Sequence, residues 1–217
     1  MPKLGMEPIR RAEAINAALE CIAEHGIQGI TIDMVAEKAG FSKGIVAYYF
    51  KSKRNLILES LKEFLAAYSL KIGSSIKKDM PALDMVKTIV EVSLPALADK
   101  SEDTINVSTL EGTDYIRLPQ KKIAKIFIQF ISISSIDEEL KAIMRQTYQN
   151  DTRGIALLLK HAKKTYSVDD LDENNEAYAL LALINGLSFF RISDFMPFDE
   201  TDNRNIALDF INRLFVD

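Results

Sequence analysis

Catalytic and metal-binding residue types are scarce in this chain. Its 217 residues include one cysteine, two histidines and no tryptophan. Cys21 alone cannot form an internal disulfide, which suits a reducing compartment. His25, His161 and Cys21 lie too far apart for metal-ligand spacing. His25, by a helix C-terminus that favours partial positive charge, is assigned no chemistry, and His161, in a charged HAKK segment, is expected to be solvated. No glycine-rich phosphate loop, G-x-S-x-G or supported Cys/His pairing occurs. The acidic Asp169, Asp170, Asp172 and Glu173 read as a solvated loop. No catalytic residue, cofactor or metal is therefore expected. Long apolar runs are also missing: the richest, Ala177 to Phe190, contains Asn185 and Ser188 and is too short to span a bilayer. The opening MPKLGMEPIRR lacks the apolar stretch of a secretory signal. A soluble, cytoplasmic protein that does not engage membranes is the expectation.

Strand-type alternation is nearly absent, whereas helical periodicity recurs throughout. With 47% apolar residues the chain can build a substantial core, and an all-α fold is predicted. Its formal charge of −4 is unevenly spread. Residues 1–54 carry eight Lys/Arg against six Asp/Glu, a surplus of +2, while residues 55–217 carry nineteen against twenty-five, a deficit of −6. The N-terminal segment is thus the candidate polyanion-facing part.

The stretch Gly29–Leu56, GITIDMVAEKAGFSKGIVAYYFKSKRNL, concentrates the local signals. Thr31 is an N-cap residue type, and Ile32, Val35, Ala36 and Ala39 follow at one-face helical spacing. Gly40 is a stop able to take positive φ, and Ser42 is positioned to cap a second short helix. That helix is expected to turn Ile45 and Tyr49 or Phe50 inward and to expose Lys43, Ala47 and Tyr48. Two short helices joined by a three- or four-residue turn form the helix-turn-helix pattern.

Around it, residues 1–7 read as an arm, and a helix from Pro8 ends near His25 at Gly26. Arg10 and Arg11 on its first turn are either a solvated helix start or phosphate contacts. Ser52 caps a long helix running to about Ile72, which would span roughly 30 Å. Further helices are expected from Pro81, from Pro119, from Asp137 to Thr165, from Ala177 to Asp194 and from Asp202 to Phe215. Residues 99–115 are polar and read as a short helix plus loop.

The pieces Thr31-x-Asp33-x-Val35-Ala36, Ala39-Gly40-Phe41-Ser42-x-Gly44 and Tyr48-Tyr49-Phe50-Lys51-Ser52-Lys53-x-x-Leu56, taken in order, resemble the DNA-binding domain of the TetR family of bacterial transcriptional regulators. The opening MPKLGMEPIRR is similar to the betaine-biosynthesis repressor branch. The C-terminal LINGLSFFRISDFMPFDETDNRNIALDFI is more loosely similar to that branch's last two helices. The resemblance implies an N-terminal three-helix helix-turn-helix domain (1–54), joined by a long helix to a larger helical domain (55–217) that binds an effector and dimerises. It implies a homodimeric repressor, released from a palindromic double-stranded DNA operator by a small molecule. Thr31, Lys43, Tyr48, Tyr49 and Lys53 match positions that touch DNA in relatives. Ser42, Gly44 and Ala47 of the same turn and helix, with Arg10 and Arg11, complete the candidate set. Ala47 stands where many members carry an aromatic, leaving at most a small apolar base contact.

For a ligand, the candidates are Phe64, Tyr68, Met85, Phe127, Phe130, Met144, Thr147, Tyr148 and Asp151, most of which also read as plain core. Asp151 and Thr147 interrupt an apolar helical stripe, and a buried carboxylate needs pairing, hydration or a ligand. Without tryptophan, an aromatic cage for a quaternary ammonium would rest on Tyr and Phe. The apolar penultimate helix and the last one suggest a dimer face at Leu183, Leu187, Phe190, Ile206 and Phe210. The rival reading is a helical small-molecule carrier or protein-interaction module whose helix-turn-helix is structural.

Overall fold

In the computed structural model, residues 7–94, 104–105, 118–193 and 203–215 are described. Among them are nine helices: α1 (Glu7–Gly29), α2 (Ile32–Ala39), α3 (Lys43–Phe50), α4 (Lys53–Ser75), α5 (Ala82–Ser93), α6 (Gln120–Ser134), α7 (Glu138–Tyr166), α8 (Glu173–Ile192) and α9 (Asn203–Arg213). One extended pairing, β1 (Thr104–Ile105) antiparallel to β2 (Leu118–Pro119), is the departure from an all-helical chain. It takes Pro119, which therefore precedes α6 rather than opening it. The remainder of the expected loop at 99–115 and the arm at 1–6 lie outside the described residues.

The chain folds as two compact units. The first comprises Met1–Lys71 with Glu102–Met144, and the second Ile72–Ser101 with Arg145–Asp217. Both α4 and α7 are continuous helices with residues in each unit.

In the first unit, α1 buries Ala14, Ile15, Ala18, Leu19 and Ile22 and packs against α2, α3 and α6. Its small residues let the neighbouring backbones approach. Gly26 breaks the helix: at φ 71 and ψ 161 it sits in a region open essentially to glycine alone. One further turn, Ile27 to Gly29, follows the break. Leu56, Ile57, Leu58, Leu61, Phe64 and Leu65 are buried around α4, so that helix is covered on more than one side.

In the second unit, Leu83, Val86, Val90 and Leu94 from α5 and its cap share a core with Ile155, Leu159 and Ala162 of α7. Ala177, Leu180, Ile184 and Leu187 of α8, with Ala207 and Ile211 of α9, complete it. The three- and four-residue steps along each helix bring one stripe inward. Asp172 starts α8 by accepting from the backbone N–H groups of Asn174 and Asn175, each at 3.1 Å. The second half of the acidic run is therefore helix rather than loop.

Candidate functional site

The helix-turn-helix is assembled from local rules. Thr31 Oγ1 accepts from the Met34 N–H at 3.2 Å and caps α2. At the other end Gly40 takes φ 69 and ψ 29, the Gly40 N–H bonds Glu37 O at 3.1 Å, and the Phe41 N–H bonds Ala36 O at 2.8 Å. This paired closure satisfies two carbonyls that the helix end would leave open, and it needs the left-handed residue between them. Ser42 stands at the N-cap of α3, but its side chain makes no capping bond, contrary to the sequence expectation.

Val46 and Phe50, four residues apart, are fully buried and fix the inner face of α3. Val46 rather than Ile45 is thus the main inward residue; Ile45 and Tyr49 are half-buried. The opposite face carries Lys43, Gly44 and Ala47, all exposed, and Tyr48 at 70% exposure. Tyr48 and Tyr49 meet edge to face with centroids 5.4 Å apart. Lys43 Nζ pairs with Asp33 Oδ2 at 2.8 Å, both side chains over 60% exposed. Such a pair is worth at most about 1 kcal/mol in water, so it leaves the ammonium available to a polyanion.

Two of the remaining cations of the candidate set, Arg11 and Lys53, are tied to the scaffold. Arg11 Nη2 pairs with Glu59 Oε2 at 2.6 Å, and its guanidinium lies 5.1 Å from the centroid of the Phe50 ring. Arg10 is half-buried on the same helix turn. Lys53 Nζ donates to Gln28 O at 2.8 Å, and Ser52 Oγ caps α4 through the Asn55 N–H at 3.1 Å. Arg54, beside Lys53, reaches Glu139 and Asp137 at 2.8 and 3.2 Å. A cavity of about 440 Å³ opens in this unit between Ile27, Lys53, Arg54, Ile57, Ile133 and Leu140. None of the sequence-predicted effector residues lines it.

Those effector candidates fall in two groups. In the first unit Phe64, Tyr68, Phe127 and Phe130 pack on one another, Phe64 lying 4.8 Å from Phe127 and 6.2 Å from Phe130 by centroid. Phe64, Phe130 and Met144 are buried, while Tyr68 and Phe127 are half-buried. In the second unit Tyr148 Oη donates to Asn185 Oδ1 at 3.1 Å, and Asn185 Nδ2 donates to Leu181 O at 2.8 Å. Burial, ahead of the Asp151 charge, pushes the Tyr148 phenol up. Asp151 is exposed, not the buried carboxylate that the apolar stripe suggested, although neighbouring protein still pushes its carboxyl up to about 6. Thr147 and Met85 are half-buried.

Of the dimer candidates, Leu187 belongs to its own unit's core at 6% exposure, so it offers little to a partner. Phe190 is 39% exposed beside Phe189 at 40%, and Leu183, Ile206 and Phe210 are half-buried.

Two features of the first unit carry no local sequence signal. Lys122 of α6 and Lys38 of α2 converge on Glu24 of α1 at 2.8 and 2.7 Å. Gln129 of α6 accepts from the Ile27 N–H at 3.2 Å. Among the described residues, no cluster of His, Cys, Asp or Glu could hold a metal, and no helix is long and apolar enough to cross a membrane.

Comparison with known proteins bears on this arrangement directly. Residues 14–60, spanning α2, α3 and their neighbours, match the profile described as bacterial regulatory proteins, tetR family. The chain is 28% identical to the HTH-type transcriptional regulator BetI of Vibrio parahaemolyticus over 86% of its own length and 82% of the relative's. It is likewise 28% identical to BetI of Pseudomonas aeruginosa, over 98% of this chain and 96% of that one. A transcriptional regulator from Saccharomonospora viridis, solved in complex with choline, shares the fold: the TM-score is 0.73 at 18% identity, over 95% of this chain and 94% of that one.

Proposed function

We propose that this chain, which belongs to the tetR family of bacterial regulatory proteins, is a homodimeric repressor that a small molecule releases from a palindromic operator. The observation that carries the reading is the outer face of α3, where Lys43, Gly44, Ala47 and Tyr48 are exposed on a helix anchored from behind by Val46 and Phe50. A rigid short helix with a polar and aromatic outer face suits the major groove. Thr31, Ser42, Tyr49 and Lys53 flank it, with Arg10 and Arg11 behind, as residues for the sugar–phosphate backbone. A dimer reading a palindrome would present its two α3 helices about 34–36 Å apart.

Residues 1–54 would supply DNA binding, and residues 55–217 effector binding and dimerisation. Phe190, Leu183, Ile206 and Phe210 are the proposed dimer face. For the effector, Asp151 favours a small organic cation. It is an exposed carboxylate whose charge acts on the Tyr148 phenol, so a cation there would meet both a carboxylate and an aromatic ring. Tyr148 is the adjacent aromatic, with Thr147 and Met85 on the same unit, and the ring group Phe64, Tyr68, Phe127, Phe130 with Met144 supplies apolar candidates. Choline, the ligand of the Saccharomonospora viridis neighbour, is the first probe to try. The effector would act by binding the DNA-free form more tightly than the DNA-bound one. Footprinting on DNA upstream of the protein's own coding region tests the reading. Protection that choline or another small cation relieves supports it, and no protection at any salt concentration returns the chain to the carrier class.

A further inference from the structure

Resting on the reading of α2 and α3 as the DNA-binding pair, we infer that α6 holds this pair in place through a two-point grip on the end of α1, with Gln129 and Lys122 as positioning residues.

The first point is at the helix break. Because Gly26 takes φ 71 and ψ 161, the peptide that follows is rotated and the Ile27 N–H turns out of α1. A buried or half-buried N–H must find another acceptor, and Gln129 Oε1 supplies it at 3.2 Å. The approach is close: a Cβ on Gly26 would stand 3.1 Å from the same oxygen. Glycine at 26 thus permits both the backbone conformation and the docking of Gln129.

The second point lies on the turn before. Glu24 takes Lys122 of α6 at 2.8 Å and Lys38 of α2 at 2.7 Å. Glu20, one helical turn earlier, adds Lys38 at 3.2 Å and Lys122 at 3.9 Å. Two carboxylates of α1 are therefore shared between a lysine of the DNA-binding pair and a lysine of α6. All four side chains are 27–36% exposed, about half the exposure of the Lys43–Asp33 pair. Hydrogen bonds from Lys122 and then Lys38 hold the Glu24 carboxyl down to about 2.

Lys122 and Gln129 are seven residues apart, so they project from one face of α6, roughly 10 Å apart along its axis. A shift of α6 along or away from α1 cannot leave both points intact, and at Glu24 it alters the charge balance that Lys38 feels. The position of α2, and with it α3, is consequently tied to α6 through side chains and not only through apolar packing.

The test uses the full-length chain carrying Lys122→Met, Gln129→Leu or both, read by amide hydrogen exchange and by binding to DNA upstream of its own coding region. Exchange from Ile27 through Gly40 should speed up about tenfold or more while α8 keeps its protection, since only a local opening is eased. DNA affinity should fall by about tenfold in parallel, and Lys122→Arg should restore both. Unchanged exchange across Ile27–Gly40 overturns the grip. So does an acceleration that extends equally to α8, which marks general loosening. The single variants keep the comparison available if the double variant unfolds. Exchange decides the grip without DNA, so a wild-type chain that binds no DNA refutes the operator reading and leaves the grip to its own measurement.

Discussion

The ammonium of Lys53 donates to the backbone carbonyl of Gln28 at 2.8 Å, joining the first residue of α4 to the last turn of α1. Lys53 is thus preset at a helix N-terminus, where backbone N–H groups also favour phosphate. Lys53→Ala should weaken binding to all DNA sequences by a similar factor and lower the salt slope by about 0.9. Losing the bond to Gln28 should add a stability cost of about 1 kcal/mol. Binding titrations over a range of salt concentrations check the first effect, and urea unfolding the second. An unchanged slope removes Lys53 from the phosphate contacts.

Tyr48 and Phe50, two residues apart on α3, should respond oppositely to truncation. Tyr48 is 70% exposed, so Tyr48→Ala is expected to leave the melting temperature nearly unchanged while reducing DNA affinity. Phe50 is fully buried and carries the Arg11 guanidinium over its ring. Phe50→Ala should cost about 3–5 kcal/mol of stability. Calorimetry and DNA binding measured on both variants decide the assignment of inner and outer faces.

Asp151 gives stability a definite pH signature. Its folded-state carboxyl is pushed up to about 6 from an ordinary value of 3.8. Between those values the folded chain holds a proton that the unfolded chain has released, so this group's contribution falls as pH rises and stays unfavourable above 6. Asp151→Asn should therefore raise the melting temperature at pH 7–8, with the gain fading toward pH 4. Melting curves across that range suffice, and a gain that grows toward acid contradicts the assignment. The same variant should lose cation binding if Asp151 faces the effector.

Phe190 tests the proposed dimer face better than Leu187 does. Leu187 is nearly buried in its own unit, so a charge there disrupts the core before it reaches any interface. Phe190→Glu, at a 39% exposed position, should instead lower the association constant with little loss of monomer stability. Sedimentation at micromolar and nanomolar concentrations reads the difference. A variant as dimeric as the parent at both concentrations places the interface elsewhere.

Much of the helix-turn-helix was legible because its determinants are short-range. Thr31, Gly40 and the Ser52 cap act within a few residues, so their types and spacing announce α2, the turn and the start of α4. The apolar stripes of α5 and α8 were readable for the same reason. What escaped depends on distance along the chain. Lys122 meets Glu24 across 98 residues and Gln129 meets Ile27 across 102. Composition and periodicity have no access to such pairs. The Ile45 expectation went astray because Ile45–Tyr49 and Val46–Phe50 share the same four-residue spacing, and only packing picks the second pair. Ser42 occupies a cap position with a suitable hydroxyl, yet its orientation was not encoded by its type.

The three consecutive rings of α3 point three ways: Tyr48 outward, Tyr49 along the flank and Phe50 into the core. Each residue advances the helix by about 100°, so this order sets a reading frame for the helix. One residue inserted between Lys43 and Tyr48 would offer the core a tyrosine hydroxyl and push phenylalanine toward water. Point substitutions on the outer face leave that frame intact. Lineages of this protein should therefore vary α3 by exchanging Lys43, Ala47 and Tyr48 while keeping its length fixed at eight residues.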